Sequence, residues 1–313
     1  MKLSDKSLNT FLFAIVASFT IFLAIYHVGI EHNIYFWDSN GYWRFWQQFG
    51  SNLFVEPANA FLKLASSIKN DDYNLLPVAI TSVFYMIGGE DRLAYILSLS
   101  IMYLLPVTIL FSMLLIHFSE KRTFYWKVIT LIFPAKLVAF WAHTLRGYPN
   151  IAGLIFIIFS VIYSIKIDLS VKLDIQKAIV LGALLWAPFL LRRWYAYTIV
   201  SLYISLPLLN YYLYKNNENS FKKLINIAIF FFASIISTVL LDAFMQLNLL
   251  LRIANPDYSF IYSAYQSSIE LSFYNILHDI GLYLLPLFFF SIFISIFVRK
   301  TKKDYLVMIT SKN

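Results

Sequence analysis

The uncharged run from residue 93 to residue 117 constrains this chain more than any other feature. A helix of roughly 20 apolar residues crosses the hydrocarbon of a bilayer, and this run exceeds that length without a formal charge. Comparable runs recur at 11–30, 151–165, 178–191, 197–214, 224–241 and 280–298, with another at 128–143 that Pro134 and Lys136 interrupt. Only 13% of the chain is charged and 60% is hydrophobic, against about a quarter charged in a soluble domain. The expectation is an all-α polytopic bundle of about eight transmembrane spans, forming one domain over residues 1–313. The run at 11–30 is too long for a signal-peptide core and lacks a small-residue cleavage site, so it reads as an uncleaved first span. Pro106 predicts a kink in the second. Residues 75–89, LLPVAITSVFYMIGG, are apolar but too short to cross, and read as an interfacial or re-entrant helix.

Basic residues give the orientation. They fall in short clusters between the apolar runs: Lys2 and Lys6; Lys121, Arg122 and Lys127; Lys166, Lys172 and Lys177; Lys215, Lys222 and Lys223; then Arg299, Lys300, Lys302, Lys303 and Lys312. Placing the N-terminus inside puts all of these on one side. This placement needs 75–89 not to cross. Both termini are then cytoplasmic, and residues 31–92, 144–150, 192–196 and 242–279 face outside. The net charge of +8 therefore reflects topology, not nucleic-acid binding. With no cysteine, disulfides and thiolate metal sites are excluded.

The first outer segment opens with IYFWDSNGYWRFWQQFG, residues 34–50. Tyrosine and tryptophan collect where a membrane meets water. A single acid, Asp38, stands among them at the edge of a low-dielectric phase, where a carboxylate is tuned as a base. Asp38 reads equally as the N-cap of a helix over 39–49 and as a catalyst. The outer segments also carry Arg44, Arg92, Arg146, Arg192 and Arg193, and guanidinium matches phosphate by paired hydrogen bonds. An acid that takes a proton from an acceptor hydroxyl, beside cations that neutralise a departing phosphate, is what transfer from a lipid phosphate needs. Arginines at helix ends also snorkel to headgroups, but the pair Arg192–Arg193 beside Trp194 and Tyr195 tilts toward phosphate. Lys136, inside a run, is a weaker phosphate candidate, with snorkelling as the plainer account. Asp71 and Asp72 read as solvated loop acids or substrate contacts. The five histidines show no ligand spacing, so no metal is expected and a divalent ion is not favoured. No phosphate-binding glycine loop, nucleophile elbow or dinucleotide motif is present.

The order of these features resembles the C-type glycosyltransferases, the GT-C superfamily of multi-span enzymes that use polyprenyl-phosphate sugars. Members include bacterial O-antigen and lipid A modifying transferases and protein mannosyltransferases. The matching residues are Asp38, Tyr42, the run Tyr73-Asn74-Leu75-Leu76-Pro77, Gly88, Gly89 and Arg92, then Arg146-Gly147-Tyr148-Pro149-Asn150. They cover roughly the first half of the chain. The resemblance implies that Asp38 is the base. Beside it, Arg146, Arg192, Arg193, Arg44 and Lys136 are the expected donor-phosphate contacts, and Tyr42, Trp43, Asp71, Asp72, Asn150 and Arg92 the expected substrate contacts. Many members carry a second acid where this chain has Asn150, so a two-acid or metal-assisted site is not implied here. The chain stops soon after the RKTKK cluster, as a short or truncated member would. The implied function is transfer of a sugar from polyprenyl phosphate to a hydroxyl on an envelope glycan, lipid or protein, at the outer face of a bacterial cytoplasmic membrane. Two alternatives remain open: a flippase for lipid-linked saccharide, and a non-catalytic membrane subunit of a polysaccharide assembly system.

Overall fold

A computed structural model of the chain describes residues 5–31, 37–71, 73–118, 138–170, 172–213 and 220–248. The chain divides into two units, Met1–Ile253 and Ala254–Asn313, and the described residues all lie in the first. Among them every regular element is helical and none is a strand.

Among the described residues, three helices are long and apolar enough to cross a membrane. Helix α1 (Asp5–Ile30) carries the first, Thr10–Ile30. Helices α2 (Trp37–Val55), α3 (Pro57–Asn70), α4 (Leu76–Thr81) and α5 (Tyr85–Gly88) follow, with a 3-10 turn (Ser82–Phe84) between the last two. The second long helix, Arg92–Leu115, runs through α6 (Arg92–Leu99), a π-helical turn (Ser100–Leu104) and α7 (Leu105–Phe118). The irregularity expected at Pro106 appears as that π turn just before it. Pro106 has no N–H to return to the preceding turn, and the wider π turn absorbs the missing bond.

Beyond α7 come α8 (Val138–Leu145), α9 (Ala152–Ile165), α10 (Ile175–Leu191), α11 (Tyr195–Leu213) and α12 (Ser220–Met245). Helix α12 carries the third long stretch, Phe221–Met245. The runs expected to span at 151–165 and 178–191 form apolar helices of 14 and 17 residues, shorter than the three long ones. Helix α11 has the length, but its tyrosines, serines, Asn210 and Pro207 dilute its apolar character. Lys136 and the rest of the run before Val138, Asp72, and the whole of 280–298 lie outside the described residues.

Two hydrophobic cores organise the unit. The first gathers Ala24 of α1, Tyr42 and Trp46 of α2, Val78 of α4, Tyr95 and Leu99 of α6, Tyr103 of the π turn, and Ile158 of α9. The second gathers Leu181, Leu185 and Phe189 of α10, Ile199 of α11 and Phe230 of α12. Helix α10 lies against α12 through hydroxyls that bond its carbonyls. Ser237 Oγ donates to Ile179 O at 3.1 Å and Thr238 Oγ1 to Gly182 O at 2.9 Å, a small-residue packing suited to helices in lipid. The C-terminus of α10 joins the cores, because Phe189 belongs to the second and Leu191 to the first. Arg192 and Arg193 follow at once, at the seam.

Candidate functional site

Helix α2 buries one face, with Ser39, Tyr42, Trp46 and Phe49 spaced for a 3.6-residue repeat. Trp46 fixes that face. Its ring meets those of Tyr85 and Tyr95 at 5.5 and 5.4 Å between centroids. The helix begins at Trp37, ahead of the start at 39 read from sequence, so Asp38 lies inside the first turn. A carboxylate there is favoured by the helix dipole. Asp38 and Tyr42 are four residues apart and share a face. Asp38 is half-buried and Tyr42 is buried, at 2% exposure. Burial pushes the Tyr42 hydroxyl up to about 12; the Arg192 charge pulls it down and the Asp38 charge pushes it up. Tyr42 thus lies in the field of both.

Arg192 is the centre of the site. It is the first residue after α10, and its backbone is extended, with φ −158° and ψ 128°. Its Nη1 donates to the Tyr42 hydroxyl at 3.2 Å and to Asn150 Oδ1. Its guanidinium lies 5.1 Å from the Tyr73 ring centroid and 5.9 Å from that of Tyr42. Among the described residues no carboxylate forms an ion pair with it. The Tyr73-Asn74-Leu75-Leu76-Pro77 run is docked to the same place. Asn74 is buried, donates to Leu190 O at 2.8 Å, and accepts from Leu76 N at 3.0 Å.

Asn150 reaches Arg192 from a capped turn. At the end of α8, Tyr148 N donates to His143 O and Gly147 N to Thr144 O, both at 2.9 Å, a Schellman cap. Gly147 has φ +93°, and a Cβ there would stand 2.8 Å from Arg92 Nη1. Pro149 then starts a 3-10 turn (Pro149–Ile151). Tyr195, the first residue of α11, donates its hydroxyl to Asn150 O. Gly153 makes room for it, since a Cβ at that position would overlap the Tyr195 ring. An open pocket of about 380 Å³ results, lined by Asn150, Arg192, Trp194, Tyr195 and Thr198.

The other cations are placed differently. Arg193 is buried, at 5% exposure, with its guanidinium 4.9 Å from the Phe189 ring centroid and its Nη2 donating to Ile68 O at the end of α3. It holds α3 rather than facing the pocket. Arg92 is matched by an acid: Glu31 lies 3.7 Å away, with side-chain exposures of 10% and 5% for the pair. His27 stands 3.4 Å from the same carboxylate. Arg92 also donates to Arg146 O at 3.3 Å and stacks 5.4 Å from the Trp43 ring centroid. Trp43 therefore serves the Arg92 cluster, and Tyr95 joins it by donating to Gly147 O at 2.8 Å. Arg146 itself is exposed, as is Arg44, which projects from the face of α2 opposite Tyr42. Asp71 is exposed at the end of α3, where its N–H donates to Ser67 O at 2.9 Å. Among the described residues no group of three or more His, Asp or Glu side chains is arranged to hold a metal ion.

The structure thus joins Tyr42, Asn150 and Arg192 at one seam, with Asp38 one turn from Tyr42 on α2, and with Arg146 on the turn before Asn150, its carbonyl bonded by Arg92 of α6. Arg44 is exposed on the opposite face of α2, and Asp71 is exposed two residues before Tyr73. Sequence reasoning did not single out Tyr73, Tyr195 or Thr198 as site residues, nor Glu31 as the partner of Arg92. The only signal for Tyr195 was its place beside the arginine pair. No protein-family model matches the chain, and no curated protein or solved structure matches it.

Proposed function

We propose that this chain is an inverting membrane glycosyltransferase. It moves a sugar from polyprenyl phosphate to a hydroxyl on an envelope glycan, lipid or protein. The site faces outward from a bacterial cytoplasmic membrane, and about eight spans keep both termini inside. The basic clusters between apolar runs support that orientation, and the three long apolar helices support the membrane.

The observation that carries the reading is the state of Arg192. A guanidinium lodged between two cores, held by a phenol, an amide oxygen and two aromatic rings, has no carboxylate partner among the described residues. That charge is half-buried and lines an open pocket, where an anion can reach it. A phosphate is the anion that guanidinium fits best. Asp38 stands on the same face of α2 as Tyr42 and its charge acts on that hydroxyl, which supports it as the base. In the proposed step Asp38 takes the proton of the acceptor hydroxyl. The acceptor oxygen bonds to the anomeric carbon, and the bond from that carbon to the phosphate oxygen breaks. The electron pair leaves on the phosphate, where Arg192 neutralises the charge.

The test is reconstitution of the full chain in proteoliposomes with a panel of polyprenyl-phosphate hexoses and pentoses and delipidated envelope glycan. Mass spectrometry is expected to find acceptor carrying one added sugar, with free polyprenyl phosphate, and NMR to find the anomeric configuration inverted. Donor binding without transfer from any member of the panel contradicts the reading.

A further inference from the structure

The pocket at Arg192 has a second wall that the transfer step does not use. Trp194 and Tyr197 stand three residues apart at the start of α11, 46% and 52% exposed, with ring centroids 6.4 Å apart and planes inclined by 42°. Trp194 lines the pocket; Thr198, one turn further on, lines it too, as does Asn150. Asn150 spends Oδ1 on Arg192, which orients its amide and leaves the N–H pair as a donor. A flat apolar ring, an amide donor, a hydroxyl and a guanidinium therefore border one cavity.

That set matches a sugar phosphate in particular. A pyranose presents a face of C–H bonds, which lies on an aromatic ring, and a rim of hydroxyls, which need donors and acceptors in the plane of the sugar. A lipid-facing aromatic belt needs only an apolar ring with one polar handle. It has no use for an amide and a hydroxyl converging beside the ring.

Resting on the function proposed above, we propose that this pocket seats the pyranose of the donor, with the Trp194 indole as its stacking surface. Asn150 and Thr198 read the sugar hydroxyls, while the phosphate sits on Arg192. Trp194 is then the residue that separates a glycosylated lipid phosphate from a bare one.

The experiment uses the full chain in a sugar-free amphipol. Its probes are citronellyl phosphate and its mannosyl, glucosyl and arabinosyl phosphodiesters, with affinities read by calorimetry and folding checked by thermal unfolding. At least one glycosylated probe is expected to bind more tightly than citronellyl phosphate, by about fivefold from a single aromatic contact. Trp194→Ala is expected to erase that preference while leaving the affinity for citronellyl phosphate unchanged. Trp194→Phe is expected to keep part of it. A preference that survives Trp194→Ala, or no preference in the unaltered chain, overturns the stacking role and leaves the phosphate site standing. No binding of citronellyl phosphate at all overturns the phosphate site and the sugar pocket together.

Discussion

Arg192 and Tyr42 lie 150 positions apart in the chain and are joined by a hydrogen bond of 3.2 Å from guanidinium to phenol. The bond crosses the seam between the two cores, since Tyr42 belongs to the first and α10, which ends at Leu191, is built largely into the second. Asp38 is one helical turn from Tyr42, so the same contact brings the carboxylate and the guanidinium into one field. Their separation along the chain is why the arrangement needs the whole first unit to fold.

Arg192→Gln keeps a hydrogen-bonding side chain and removes the charge. Hydrogen bonds to charged groups contribute about 1.5–3 kcal/mol, so donor KM is expected to rise roughly tenfold to a hundredfold. Thermal unfolding is expected to change little. The check is initial-rate kinetics over a donor titration.

Arg193→Ala is expected to do the reverse. Its guanidinium is packed on Phe189 and bonded to Ile68 O, so truncation loosens α3. A cost of about 1–3 kcal/mol follows from leaving that carbonyl without its donor. Lower thermal stability and faster proteolysis within Pro57–Asn70 are the readouts, with donor affinity of the folded protein unchanged.

Gly147→Ala tests the turn that delivers Asn150. At φ +93° a Cβ is strained, and this one would also stand 2.8 Å from Arg92 and 3.2 Å from the Tyr95 ring. Strain of this kind costs about 1–3 kcal/mol. The expected outcome is reduced stability together with weaker donor binding, measured by unfolding and calorimetry.

Tyr42 predicts an alkaline response. Burial raises its folded value from 10.0 to about 12, with Arg192 opposing and Asp38 adding to the rise; Tyr73 packs beside it at 6.2 Å between ring centroids. A group raised on folding contributes stability that is complete below the unfolded value and is lost as pH climbs through the folded one. The contribution therefore disappears between pH 10 and 12, the window set by those two values. Tyr42→Phe is expected to flatten that part of the stability profile, read by thermal unfolding against pH.

Some of this was legible in the chain. The long uncharged runs announced α1, the α6–α7 helix and α12, because a bilayer-length helix writes itself as composition. The Arg-Gly-Tyr-Pro-Asn run stood out through the resemblance, and glycine after a helix followed by proline carries the turn locally. The difference between Arg192 and Arg193 was not. They are adjacent and chemically alike, and in an extended stretch consecutive side chains point to opposite sides. Which one meets Tyr42 and which meets Ile68 is decided by where α2 and α3 pack. Glu31 was hidden for the same reason: its partner Arg92 is distant in sequence and reaches it only when α6 docks on α1. The number of crossings is less sharply written, because α9 and α10 are as apolar as the long helices but shorter.

The sharpest test is transfer by Asp38→Asn in proteoliposomes, with donor binding measured on the same preparation. A general base contributes roughly 10²- to 10⁴-fold, so kcat is expected to fall by that factor while polyprenyl-phosphate sugar still binds. Full transfer by Asp38→Asn, with the donor bound as before, would contradict the role of that carboxylate as the base.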